Sequence, residues 1–242
     1  MQGVPDTGSL GRRLSARLVS RMVVRDMKRT FRRMVWVGPE PWKTGEIDPA
    51  RPVAIYTNHH SFHDGYILWQ LVGRTLGRPL MIWMSEWGQI PIFGSLGTLP
   101  FPPDDPRQRL ATIRETARRL EQAPEHVFIY FPEGELRAPD TGLGTFDVRD
   151  FARLARVFPE DTQWWPVGVR VTWWGEDRPT VVLRGAPPHD APDGRERERL
   201  QTLLTEIQNA PPGAGRTLFD GAASANERWD LSVLAPLFRR WT

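Results

Sequence analysis

Cysteine is missing from this 242-residue chain, which removes disulfides, thiolate metal sites and a cysteine nucleophile together. Its absence is compatible with a reducing or an oxidising compartment. Long hydrophobic runs are missing too. Stretches such as PLMIWM at 79–84 fall far short of the ~20 residues a membrane-spanning helix needs, and the opening MQGVPDTGSLGRR lacks the apolar core of a signal peptide. Lysine is scarce, present only at Lys28 and Lys43, so arginine supplies nearly all the positive charge. No long low-complexity tract interrupts a composition that is 40% hydrophobic and 25% charged, and 242 residues suffice for one substantial core. A single α/β domain is the expectation.

The net charge of +3 is unevenly spread. Residues 1–37 hold nine Lys/Arg against Asp6 and Asp26, a local charge of +7, which leaves −4 for the remainder. At ~100° per residue, Arg17, Arg21, Arg25, Lys28 and Arg32 fall on one side of a helix and Val19, Val23, Met27, Phe31 and Met34 on the other. Such a basic amphipathic helix either solvates its arginines over a packed apolar stripe or lies on an anionic surface. No zinc-finger spacing, aromatic RNA-binding signature or second basic cluster continues a nucleic-acid track, so no nucleic-acid partner is expected. A membrane surface is the favoured partner, with the apolar stripe in the headgroup layer and the arginines on lipid phosphates. Trp36, Trp42, Trp83 and Trp87 are the expected lipid-contacting indoles.

The Pro/Gly-rich stretch 39–52 reads as a loop into the main domain. VAIYT at 53–57 reads as a short buried strand, followed by a helix through DGYILWQLVGRTL with Asn58 or Ser61 as its cap. Further strands are expected at 79–84, 126–131, in WWPVGVRVTWW and in PTVVLRG, with helices near 106–122, 148–157 and 195–207 and an irregular tail from 211. This alternation predicts a central, mostly parallel or mixed sheet flanked by helices. Three segments follow: the N-terminal membrane-surface helix (1–37), the main domain (38–210), and a tail (211–242) packed on it.

NHHSFHD, at 58–64, sits where the first buried strand meets its helix. His59 and His63 are one helical turn apart, as metal-ligating histidines often are, with His60 and Asp64 beside them. A metal-dependent hydrolase is one reading, a polar turn another, and an acid/base pair of His59 and Asp64 a third.

Asn58, His59, Ser61 and Asp64 match the N-H-x-S-x-x-D pattern of the phospholipid/glycerol acyltransferase family, which includes the lysophosphatidic acid acyltransferases. FPEGELR at 131–137 resembles that family's F-P-E-G-x-R block with one extra residue before Arg137, FDVRDFARLAR is similar to its F-K-x-G-x-x-x-x-A helix, and WWPVGV to its late V-P-V block. Order and separations agree over roughly residues 40–185. The resemblance implies a 1-acylglycerol-3-phosphate O-acyltransferase-like enzyme on the cytoplasmic face of the cell membrane. It would move a fatty acyl group from acyl-CoA or acyl carrier protein to a lipid hydroxyl without metal or resident cofactor. It implies His59 as general base and Asp64 as its partner, with Asn58, Ser61, Glu133, Gly134 and Arg137 binding substrate.

The residue types suit that chemistry. An imidazole can take the hydroxyl proton as attack occurs, and a carboxylate on its far nitrogen holds the tautomer and stabilises the imidazolium. Donors at the helix N-terminus and the EGE backbone amides would face the oxyanion, and the Arg137 guanidinium matches phosphate geometry. One block departs from the family. LGTLPFPPDD at 96–105 places Pro102 or Pro103 where the resemblance expects a phosphate-clamping arginine, with Arg107 or Arg109 as the nearest substitutes. The acceptor is thereby widened from lysophosphatidic acid to a glycolipid, a pigment glycoside or an aminolipid. A non-catalytic lipid-binding module is the remaining alternative.

Overall fold

The computed structural model describes residues 10–223. In chain order the elements are α1 (Leu10–Thr30), β1 (Arg33–Trp36), α2 (Pro41–Thr44), β2 (Val53–Thr57), α3 (Asp64–Gln70) running into a π-helical turn (Leu71–Leu76), β3 (Leu80–Met84), a 3-10 turn (Pro91–Leu96), β4 (Thr98–Pro100), α4 (Pro106–Gln122), β5 (Val127–Tyr130), α5 (Arg149–Ala155), β6 (Gln163–Thr172), β7 (Thr180–Gly185), α6 (Glu196–Gln208) and β8 (Arg216–Asp220). Local chemistry sets several boundaries. At α4, Pro106 occupies the first turn, where its missing N–H costs nothing, and the Asp105 carboxylate accepts the Gln108 N–H at 2.9 Å.

The eight strands form one sheet in the order β4-β3-β5-β2-β6-β7-β1-β8. β4, β3, β5, β2 and β6 run parallel, while β7 is antiparallel to β6, β1 is parallel to β7, and β8 is antiparallel to β1. All five residues of β2 are buried, as a central parallel strand covered on both faces requires. Alternation along it feeds two cores: Val53 and Ile55 pack with α1 and α3, Ala54 and Tyr56 with α4, α5 and α6. The α/β reading therefore holds, with helices on both faces of a mixed, mostly parallel sheet.

Two boundaries differ from expectation. Of the segment 1–37, residues 1–9 lie outside the described residues, and 10–37 are not a separate surface helix, because β1 is a sheet strand and Val19, Val23, Met27, Phe31 and Met34 are buried in the core. The stripe expected to enter lipid instead meets the sheet, and α1's outer face presents Leu14, Leu18 and Met22 beside Arg17, Arg21 and Arg25. The tail from 211 is not wholly irregular either: β8 adds an edge strand beside β1, and the remainder of the tail, 224–242, lies outside the described residues. Trp36, also expected at lipid, is a core residue whose Nε1–H donates to the Pro39 carbonyl at 2.7 Å. Trp42 packs on Trp36 and Trp165, and Trp83 donates to Thr116 Oγ1 at 2.9 Å. Among the described residues no helix is long and apolar enough to cross a membrane.

Candidate active site

β2 and β5 are parallel neighbours with Tyr56 opposite Tyr130, so the segments leaving their carboxyl ends, 58–64 and 131–137, emerge side by side. That edge is where parallel α/β sheets place ligands. Within the first of the two segments lies the His59–Asp64 pair that the acyltransferase resemblance implies. His59 Nδ1 is 3.0 Å from Asp64 Oδ2. The same oxygen accepts the backbone N–H groups of His60 and Ser61, each at 2.8 Å. A carboxylate oxygen has no hydrogen to give, so in the contact with ionised Asp64 it is Nδ1 that donates, and Nε2 is the ring nitrogen that this contact leaves unengaged. The Asp64 side chain is 1% exposed and that of His59 25% exposed. Phe131 stacks on the imidazole at 4.2 Å between centroids, fixing the ring plane.

The clamp around this pair comes from Glu133. Its side chain is 1% exposed and reaches His60 Nε2 at 3.8 Å, beyond hydrogen-bond range. It accepts the His59 N–H at 2.8 Å on one oxygen and the Gly144 N–H at 2.7 Å on the other. Burial pushes its pKa up, but the neighbouring His60 imidazole and the two backbone donors outweigh that and hold the carboxyl below its ordinary value. A second backbone tie runs from the Arg137 N–H to the His59 carbonyl at 3.0 Å.

The other residues that the resemblance assigns to substrate have internal partners. Asn58 is fully buried and exchanges both amide groups with Val169 on β6: its Nδ2 donates to the carbonyl at 2.8 Å and its Oδ1 accepts the N–H at 2.9 Å. Ser61 Oγ accepts the His63 N–H at 3.2 Å, an intraloop bond in place of a cap on the helix itself. Gly134 takes a positive φ of 70° in a turn where its N–H donates to the Phe131 carbonyl at 3.1 Å, so this amide of the expected oxyanion group is occupied. Arg137 keeps a third of its side chain exposed, with Nη1 at 2.8 Å from Glu135 and Nε at 4.0 Å from Glu133. In the divergent block, Arg109 stacks over Phe101 at 4.5 Å, and Phe101 lies flat on Trp83 at 4.3 Å.

Asn58→Ala strands a buried N–H and a buried C=O on β6. The expected cost is about 2–4 kcal/mol of folding stability, measurable as a lower urea midpoint with an unchanged m-value.

The three histidines diverge. His59 pairs with Asp64, His60 approaches Glu133, and His63 Nε2 lies 3.1 Å from Asp26 Oδ2 on α1. Among the described residues no group of three or more His, Asp or Glu side chains is arranged to hold a metal ion. Three parts of the site had no sequence signal: the Phe131 stack, the Gly144 amide and the Asp26 contact all depend on how distant segments meet. At the rim stand two strongly exposed apolar side chains, Phe62 (68%) and Leu136 (52%), one from each motif segment. No protein-family model matches the chain, and no curated protein matches it.

Proposed function

We propose that this protein is a membrane-surface acyltransferase that moves a fatty acyl group from a thioester donor, acyl-CoA or acyl carrier protein, to a hydroxyl of a lipid acceptor. The observation that carries the reading is the 3.0 Å contact from His59 Nδ1 to buried Asp64 Oδ2, with Nε2 on the open side of a quarter-exposed ring. That is the geometry of a general base with an orienting carboxylate, and no serine or cysteine within the loop is paired to it as nucleophile. The resemblance of NHHSFHD and FPEGELR to the phospholipid/glycerol acyltransferase blocks supports the same chemistry, as do the apolar rim side chains Phe62 and Leu136, which suit an acyl chain better than a soluble metabolite.

In the proposed reaction the acceptor hydroxyl gives its proton to His59 Nε2 while its oxygen attacks the thioester carbonyl. The tetrahedral oxyanion collapses, the carbon–sulfur bond breaks, and the departing thiolate takes the proton back from the imidazolium, which the Asp64 carboxylate stabilises meanwhile. Asn58 and Glu133 act as positioning residues, holding the loop to β6 and to the 144 backbone. The Arg137 guanidinium is the candidate for a polar or phosphorylated acceptor headgroup, and with Arg109 engaged on Phe101 a glycolipid or aminolipid acceptor fits as well as lysophosphatidic acid.

The test is the full-length protein with labelled acyl-CoA on vesicles carrying lysophosphatidic acid, a glycolipid or an aminolipid. Labelled acylated lipid is the expected product. Release of free fatty acid alone, in the presence of every acceptor, would replace transfer by hydrolysis.

A further inference from the structure

On the far flank of α1 from the dyad loop lies a groove of about 480 Å³ bounded by α1, the π-helical turn and the chain just after β8. Arg21, Arg25, Lys28, Arg29 and Arg74 surround it together with Val24, and the surface inside it is mostly apolar, so it is the side-chain stems that line the groove. Its last wall is fixed by backbone, since the Ala222 N–H donates to the Lys28 carbonyl at 2.8 Å and the Gly221 N–H to the Arg32 carbonyl at 2.9 Å. None of the five cations forms a salt bridge or side-chain hydrogen bond with a described residue; Arg74 is held over the Trp69 ring at 5.5 Å. Arginines elsewhere commonly have a carboxylate: Arg51 has Asp190, Arg119 has Glu115 and Arg199 has Asp193. α1's own acid, Asp26, is turned to the other flank and spent on His63. Val24 and Asp26 are two residues apart, so they project about 200° apart around the helix.

Arg21, Arg25 and Arg29 are successive i, i+4 neighbours, a spacing at which like charges repel. Concentrating five cations around one concave surface, with no acid among its described lining residues, makes sense if an anion offsets them, and guanidinium forks match phosphate oxygens in shape as well as charge. We propose that this groove is a binding site for a phosphate or diphosphate group, separate from the His59 dyad and independent of whether that dyad transfers acyl groups. The phosphate is carried either by a soluble molecule or by an anionic lipid headgroup.

Inorganic pyrophosphate titrated into the full-length protein, followed by tryptophan fluorescence of Trp69 and by calorimetry, tests the first source. Sedimentation with phosphatidylcholine vesicles, with and without phosphatidylglycerol, tests the second. Arg25→Glu/Arg29→Glu should weaken the observed binding at least about tenfold, and Arg25→Lys/Arg29→Lys should retain most of it. Arg114→Glu/Arg156→Glu makes the same change in net charge at exposed positions on the other side of the sheet and should leave binding intact. Groove-dependent pyrophosphate binding assigns a soluble phosphate, and groove-dependent binding to phosphatidylglycerol vesicles alone assigns a headgroup; either supports the site. Absence of both, or an equal loss in the Arg114/Arg156 variant, overturns it. His59→Ala should bind like the parent, so an inactive dyad and a failed groove are told apart.

Discussion

His59→Ala is expected to lower acyl transfer by about 10³-fold or more, the scale on which a positioned general base works, with the thermal unfolding midpoint little changed because the ring is quarter-exposed and carries no backbone contact. Asp64→Asn sharpens the result. An asparagine oxygen in the place of Oδ2 can still accept from His59 Nδ1 and from the His60 and Ser61 amides, so loop and tautomer survive while the negative charge is lost. The expected outcome is a fall in kcat of about 10²–10⁴ with the KM for the acyl donor nearly unchanged, because the imidazolium formed during attack loses its counter-charge. Single-turnover transfer from labelled acyl-CoA measures both variants. Parent-like rates in His59→Ala would remove His59 as the general base, and absence of transfer in the parent as well would leave a lipid-binding module as the remaining reading.

A chain beginning at residue 38 should fail to fold. It loses Val19, Val23, Met27, Phe31, Met34 and Trp36, each no more than 3% exposed, together with β1, which separates β7 from β8. At about 1.5–3 kcal/mol for each buried side chain, the loss is on the order of 10 kcal/mol, comparable with the whole stability of an ordinary domain. Far-UV circular dichroism and a urea titration check this, and a cooperative transition in the truncated chain would contradict it. Truncation therefore cannot isolate any lipid-binding role of α1. Charge reversal at its exposed arginines can.

The parts of this molecule that are legible in its sequence are those whose cause is local. VAIYT is a strand because a short, largely β-branched and aromatic run between turn signals has few other uses, and the helix expected near 106–122 matches α4. His59 and Asp64 are paired on paper through the resemblance of NHHSFHD to the acyltransferase motif, since their spacing alone leaves a metal site and a polar turn open. The apolar stripe of α1 was equally visible, but amphipathic spacing says only that a face is covered, not whether lipid or sheet covers it. β8 carries little hydrophobic signal, because it is an edge strand with one buried residue. Glu133 reads as a ligand-facing acid in its motif, yet both its oxygens hold backbone amides of segments 11 and 74 residues away, a role that only the assembled fold defines.

Glu133 thus works as a rivet. With the 59 and 144 amides pinned to one carboxylate and Arg137 tied to the 59 carbonyl, the stretch 138–143 becomes a handle whose two roots are immobile. Substitutions at the exposed positions of that stretch are therefore expected to leave the imidazole where it is, since every tie that holds its backbone lies outside 138–143.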